Sequence, residues 1–203
     1  MRCWRCGSIH RPAFFCEDCE AVQSLPSDSD FSSLLGFEGR PAIDDGKLQK
    51  AYYDLSRRLH PDRFAAGSPE EIRASVQATA LLNEAFRTLG DIEARGRWWL
   101  ARQGESLGGE NNRVPPELAA LVFEVQEKVA DASRDASLRD ELGKIHQNLG
   151  QRVDSGRSQV VGILEQWPTS GSDAEARGRL KLLLSELSYL RTLVRDVQKA
   201  LEA

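Results

Sequence analysis

A proline at position 61 interrupts the most regular stretch of this chain and fixes how it must turn. Upstream, Leu48, Ala51, Tyr52, Leu55 and Leu59 recur at helical spacing and form an inner stripe that Asp44 or Asp45 can cap. Lys47, Lys50, Arg57 and Arg58 fall largely off the stripe and give that helix a mainly basic outer side. Proline inside a helix forfeits a hydrogen bond and clashes with the preceding turn, and it drives the residue before it out of helical geometry. The helix therefore has to stop at Leu59. His60-Pro61-Asp62 is left on a rigid exposed turn, with an imidazole and a carboxylate to offer a partner. Downstream, Ser68-Pro69-Glu70-Glu71 reads as N-cap, first-turn proline and reciprocal glutamate, which is a capping box. The helix it opens carries a stripe of Ile72, Val76, Leu82, Phe86 and Leu89 and ends at Gly90. A loop of about eight residues between two such helices predicts an antiparallel hairpin.

The helical period dominates the rest of the chain, and no segment alternates convincingly as a strand would. The predicted fold class is all-α. Leu25 to Asp30 is polar and reads as a linker, and a short helix from Phe31 to Leu35 closes at Gly36. Asp91 caps a further helix that carries Trp98, Trp99 and Leu100 and stops near Gly104. These tryptophans and Trp167 are read as core or interdomain packing. Residues 104–113 form the expected domain boundary, and Pro115-Pro116 restarts helix. Three long segments follow, roughly 116–133, 135–166 and 173–202, with a break at 168–172. Amphipathic helices joined by short loops predict a three-helix bundle. His146 is read as a partly exposed helix residue.

All four cysteines, Cys3, Cys6, Cys16 and Cys19, lie at the start of the chain. A disulfide scaffold would spread them out to staple distant segments. Two CxxC pairs instead place four thiolates where one tetrahedral Zn2+ can take them, as a structural knuckle or ribbon. A rubredoxin-like iron site uses the same ligand set. A redox dithiol is the rival reading, but it usually has one CxxC in a strand–helix context. His10 lies between the pairs; four thiolates already complete the shell, so it is expected to be a polar loop residue. So small a module cannot fold by burial alone, and the metal would supply most of its folding energy, about 10–16 kcal/mol.

In the segment 116–133, Leu118, Leu121, Val122, Val125, Val129 and Ala132 share one face of a helical wheel, the expected bundle core. Phe123 falls on the other side, near Ala120, Glu124, Glu127 and Asp131. An aromatic among carboxylates off the core stripe suggests an exposed binding patch; packing against the hairpin is the alternative. In the last segment Leu180, Leu183, Leu184, Leu187, Val194 and Leu201 form the core stripe, with Tyr189 opposite, between Leu182 and Leu193. The two aromatics share a surface if the first and third bundle helices adjoin.

Net charge is -4 with a pI near 5.5, so no overall basic field argues for nucleic acid or an anionic membrane. No apolar run approaches the roughly 20 residues needed to span a bilayer. The first residues resemble neither a signal peptide nor an amphipathic presequence. The expected location is cytoplasmic, or the mitochondrial matrix for a eukaryotic chain whose presequence has been removed. No nucleophile–base pair or phosphate-cradling glycine loop is visible, so the chain is not expected to be an enzyme.

Asp30-Phe31-Ser32-Ser33-Leu34-Leu35-Gly36, the run from Leu48 to His60-Pro61-Asp62-Arg63-Phe64, and Leu82-Asn83-Glu84-Ala85-Phe86-Arg87-Thr88-Leu89 together resemble a J-domain. With a tetracysteine head and a three-helix tail, the chain resembles the HscB-type (HSC-twenty) co-chaperones of iron–sulfur cluster assembly. Cys3-Trp4-Arg5-Cys6-Gly7 and Phe15-Cys16-Glu17-Asp18-Cys19 are most similar to the zinc-bearing subgroup, typical of mitochondrial members. The resemblance implies a zinc module over 1–24, a J-domain over 28–104 and a client-binding bundle over 115–203. It implies docking on a DnaK/HscA-type ATPase chaperone through His60, Pro61 and Asp62, with Lys50, Arg57, Arg58 and Arg63 as further contacts. It also implies binding of an IscU-type scaffold through Ala119, Ala120, Phe123, Glu124, Glu127, Asp131 and Tyr189. The family tends to carry larger apolar residues where Ala119 and Ala120 stand, and an acid where Leu121 stands. Competing functions are a J-protein for a different client, a zinc-ribbon nucleic-acid adaptor and a thiol oxidoreductase. The acidic balance argues against the nucleic-acid adaptor.

Overall fold

The computed structural model describes residues 1–37, 40–105, 107, 116–132, 136–168 and 173–202. Among the described residues seven α-helices run in chain order: α1 Phe31–Leu34, α2 Asp45–Leu59, α3 Pro69–Gly90, α4 Ile92–Arg102, α5 Pro116–Ala132, α6 Arg139–Glu165 and α7 Ala174–Glu202. Short 3-10 turns occupy Pro61–Phe64 and Ala136–Leu138. Among the described residues there is no strand, only isolated antiparallel pairings of Arg2 with Ile9 and Phe15 with Val22. The all-α class stands. Most of the boundary expected over 104–113 and of the break over 168–172 lies outside the described residues.

The chain divides into two compact units, Met1–Arg95 and Gly96–Ala203. The division falls inside α4, ahead of Gly104, because the second half of that helix packs with the bundle. A Cβ on Gly96 would sit 3.2 Å from a Leu184 methyl, and Trp99 meets Trp167 edge-on at 5.7 Å.

In the first unit each helix begins where the sequence places a cap. Asp30 accepts the Ser32 and Ser33 N–H groups, Asp44 accepts that of Lys47, and Ser68 with Glu71 completes the capping box of α3. The hairpin interface departs from the expected stripe. Leu82 and Leu89 are buried and Phe86 is half-buried, but Ile72 and Val76 are exposed, Val76 to 51%. The buried face of α3 is instead Ala74, Ser75, Ala78, Leu81, Leu82, Ala85 and Leu89. Small side chains let the two helices approach closely, and hydropathy alone does not single out such a face. Arg95 closes the unit. It is buried, donating from Nε to the Leu89 carbonyl at 2.5 Å, to the Ile43 carbonyl at 3.2 Å and to Asp45 at 2.8 Å.

The second unit is built on leucine. Leu180, Leu183, Leu184, Leu187, Leu190, Leu193 and Val197 of α7 are buried, facing Leu142, Leu149, Val160 and Leu164 of α6. Gly156 is required at their crossing, since a Cβ there would stand 2.7 Å from Leu187 Cδ2. From α5, Leu118 and Val125 enter the core, with Leu121, Val122 and Val129 packed beside them. The side chain of Ala132, expected on the same face, lies outside the described residues. Leu193 is buried and Tyr189 is half-buried against this cluster, so the face expected opposite the core is partly inside it. Seven buried side chains widen the α7 stripe beyond the wheel position that separated Tyr189 from it.

Candidate functional site

The His60-Pro61-Asp62 turn is held by hydrogen bonds on both sides. His60 is the C-cap of α2 with extended backbone, and its carbonyl accepts the Arg63 N–H at 3.0 Å. Its Nδ1 accepts the Asp62 N–H at 3.3 Å and lies 3.5 Å from the Asp62 carboxylate. The His60 and Asp62 side chains are 56% and 90% exposed. The Leu59 carbonyl, which no longer has a helical partner, accepts from Ser75 Oγ at 2.7 Å and Thr79 Oγ1 at 3.1 Å. Tyr52 stacks on Phe86 at 4.1 Å and donates to Asn83 at 2.9 Å. The turn is thus fixed to α3 from behind while its polar tips stay in water.

Lys47, Lys50, Arg57, Arg58 and Arg63 are exposed, as the basic outer side requires. They are not equivalent. Lys50 pairs with Asp54 at 3.3 Å, and the Arg58 guanidinium lies over the Phe15 ring at 4.2 Å.

The four cysteine sulfurs lie within 4.8 Å of one another. Cys3 and Cys19 are 3.6 Å apart, and Cys6 and Cys16 are 3.7 Å apart. A metal with bonds of about 2.3 Å to a tetrahedron of thiolates requires edges of about 3.8 Å, so the set fits. The two loops repeat each other. Cys3 N–H bonds the Ser8 carbonyl as Cys16 N–H bonds that of Ala21, and Gly7 and Glu20 occupy the matching left-handed positions. Burial disfavours the Cys3 thiolate, but the Cys6 and Arg5 N–H groups outweigh it and hold the thiol down at about 6. The Ser8 hydroxyl, against burial, lowers Cys16. Although the Ala21 N–H favours its thiolate, burial and the other three sulfurs push Cys19 up to about 12. Two sulfurs that favour ionisation share the cluster with one that resists it, and a cation at its centre would favour the thiolate form of the whole set. His10 is not part of this set and lies in a loop, as expected, although not at its surface. It is buried, its Nδ1 donating to the Arg11 carbonyl at 2.7 Å, and its backbone pairs with Met1.

On α5, Ala119, Ala120, Phe123, Glu124, Glu127 and Asp131 are exposed, Phe123 to 70%. α5 and α7 adjoin, which places Phe123 and Tyr189 on neighbouring helices. Lys128 pairs with Glu141 and has its pKa raised by that hydrogen bond, against burial. Among the described residues no helix is long and apolar enough to cross a membrane.

No protein-family model matches the chain. It is 29% identical over 154 residues to an iron-sulfur cluster co-chaperone protein HscB homolog of Arabidopsis thaliana, covering 75% of this chain and 60% of that protein. It is 31% identical over 177 residues to a co-chaperone protein HscB homolog of Ralstonia nicotianae, covering 87% of this chain and 96% of that one. The crystal structure of human co-chaperone protein HscB superposes with a TM-score of 0.77 at 25% identity, covering 98% of each chain. The chain belongs to the HscB co-chaperone family. It spans about 60% of the length of its plant relative.

In this HscB-family chain the sequence pointed to the turn and to the cysteines but not to what supports them. Ser75 and Thr79 were missed because a hydroxyl inside a helix carries no sequence signal of its target. A serine and a threonine one helical turn apart, beside Ala74 and Ala78, were the available hint.

Proposed function

We propose that this chain is a J-protein that stimulates the ATPase of a DnaK/HscA-type chaperone and delivers an IscU-type iron–sulfur scaffold to it. The observation that carries the reading is the His60-Pro61-Asp62 turn, anchored at Leu59 and exposed at both polar tips. A carboxylate so placed accepts charge-assisted hydrogen bonds from an arginine of the partner. The basic residues beside it steer the encounter toward an acidic surface. Names carried by HscB relatives support the iron–sulfur assignment. The client end is the α5 patch around Phe123, rimmed by Glu124, Glu127 and Asp131, with Tyr189 on the adjoining helix as a half-buried neighbour. Leu121, where the family favours an acid, turns toward the bundle core here, so its apolar character serves packing. Cys3, Cys6, Cys16 and Cys19 hold structural Zn2+, which cross-links the two knuckle loops. The chain acts as an adaptor in the cytoplasm or mitochondrial matrix, without chemistry of its own.

His60→Gln is expected to fold and to lose stimulation in a steady-state chaperone ATPase assay; undiminished stimulation sinks the docking assignment. In the same assay Phe123→Ala with Tyr189→Ala keeps basal stimulation. Calorimetry with the scaffold should show weaker binding for that pair, and unchanged affinity removes α5 as the client face. Metal analysis should return zinc near one per chain.

A further inference from the structure

The knuckle touches the first-unit hairpin at two points, and they fall on opposite sides of the His60-Pro61-Asp62 turn. Before the turn, Phe15 lies under the Arg58 guanidinium near the end of α2. After it, Arg5 reaches Glu71 Oε1 at 3.4 Å in the first turn of α3. The other oxygen of that carboxylate, Oε2, accepts the Ser68 N–H at 3.0 Å and caps the helix. Arg5 therefore holds the group that starts α3. Gly67 leaves no slack there, because a Cβ on it would stand 2.8 Å from the same oxygen.

Each contact residue belongs to a different CxxC loop. Arg5 lies inside the first, with its own N–H 3.4 Å from Cys3 Sγ, and Phe15 immediately precedes Cys16 of the second. The metal-ligand set thus fixes the spacing of the two contacts, while the turn they bracket is short. Phe14, Phe15 and Cys16 also line one cavity with Ser33, Leu34, Leu55 and Arg58, so the second loop faces the same side of the unit as the end of α2.

We propose that the metal-loaded knuckle is a brace for the His60-Pro61-Asp62 turn, with Phe15 and Arg5 as its two positioning residues. The proposal rests on the docking reading above and adds a dependence of docking on metal occupancy. Each contact is exposed and modest alone, but the two act on one short loop, which limits how far α2 and α3 can separate at its base. The brace also sets Arg58 apart from its neighbours: one guanidinium face is covered by Phe15, so Lys47, Lys50, Arg57 and Arg63 are left as the more open part of the basic surface.

The test uses the full metal-loaded chain with Arg5→Ala and Phe15→Ala combined; all four cysteines remain and metal content is measured. Amide exchange over 57–71 should quicken about tenfold, while exchange in the Leu82–Leu89 part of α3 holds. The concentration for half-maximal chaperone stimulation should rise about fivefold with the maximum unchanged. Arg5→Lys with Phe15→Trp, which keeps both interactions, should restore both readouts. Chelating the metal from the unsubstituted chain is an independent arm and must raise exchange over the same residues. Unchanged exchange over 57–71 in either arm, or a rise spread evenly along α2 and α3, overturns the brace. If His60→Gln still abolishes stimulation in that case, the docking reading survives without the brace. If His60→Gln leaves stimulation intact, the docking reading fails and exchange alone judges the brace.

Discussion

The two units close their helix pairs by opposite means. In the first, the buried face of α3 sets Ala74, Ser75, Ala78 and Ala85 among Leu81, Leu82 and Leu89, and its hydroxyls bond the end of α2. In the second, α7 presents seven large buried side chains to its neighbours. The small residues leave room for the Ser75 and Thr79 hydroxyls to reach the Leu59 carbonyl, which fixes the end of α2. A leucine interface gains more from apolar area removed from water. The His60-Pro61-Asp62 turn sits on the first kind of interface, and the Phe123 patch sits on a helix of the second kind.

Truncation and enlargement should therefore have opposite weights in the two units. Leu184 is fully buried and rests against Gly96, so Leu184→Ala is expected to cost about 2–5 kcal/mol. The measurement is denaturant unfolding with exchange read on α6 and α7. At Ala78, also fully buried, the harmful direction is addition: Ala78→Leu should cost about 1–3 kcal/mol by forcing α2 and α3 apart. A harmless Ala78→Leu would mean the hairpin interface has room and the contrast is false.

What was legible follows the same division. Caps, proline and glycine act within a few residues, so the end of α1, the limits of α2, the start of α3 and the exposed turn could be read directly from Gly36, Asp44, Pro61 and Ser68. Four cysteines in two CxxC pairs were equally local. The α3 stripe was misread at Ile72 and Val76, because periodicity ranks side chains by apolarity whereas this interface selects for small size. Tyr189 was placed outside the core for a related reason. A wheel assigns an angle, but the number of neighbouring helices decides how wide the buried arc becomes. The brace at Arg5 and Phe15 was not legible at all, since it joins residues far apart in the chain that have no common pattern.

A smaller effect separates the hydroxyl lock from simple packing. Ser75→Ala keeps the small side chain but removes the shorter of two bonds to the Leu59 carbonyl, leaving Thr79 to serve it alone. The expected loss is about 1 kcal/mol, with faster exchange at the Arg63 amide, which bonds the adjacent His60 carbonyl. A Ser75→Ala chain with unchanged stability and exchange would reduce the interface to alanine packing.

The smallest effect lies in the second unit and depends on pH. Glu105 accepts from Lys181 at 2.8 Å, and that hydrogen bond, with the Lys181 charge and the nearby Arg177, holds its carboxyl below the ordinary range against some burial. A depressed carboxylate stabilises the folded state at neutral pH, and the contribution disappears as pH falls through its folded-state value. All three side chains are roughly 30% exposed, so solvent screens the pair and the contribution is small. Lys181→Met should flatten the acid side of the stability–pH curve and leave the alkaline side, where loss of the Lys128 charge unpairs Glu141, as it was. The sign is the informative part: a Lys181→Met chain that lost stability equally at every pH would show that the lysine stem, not its charge, holds the end of α4 against α7.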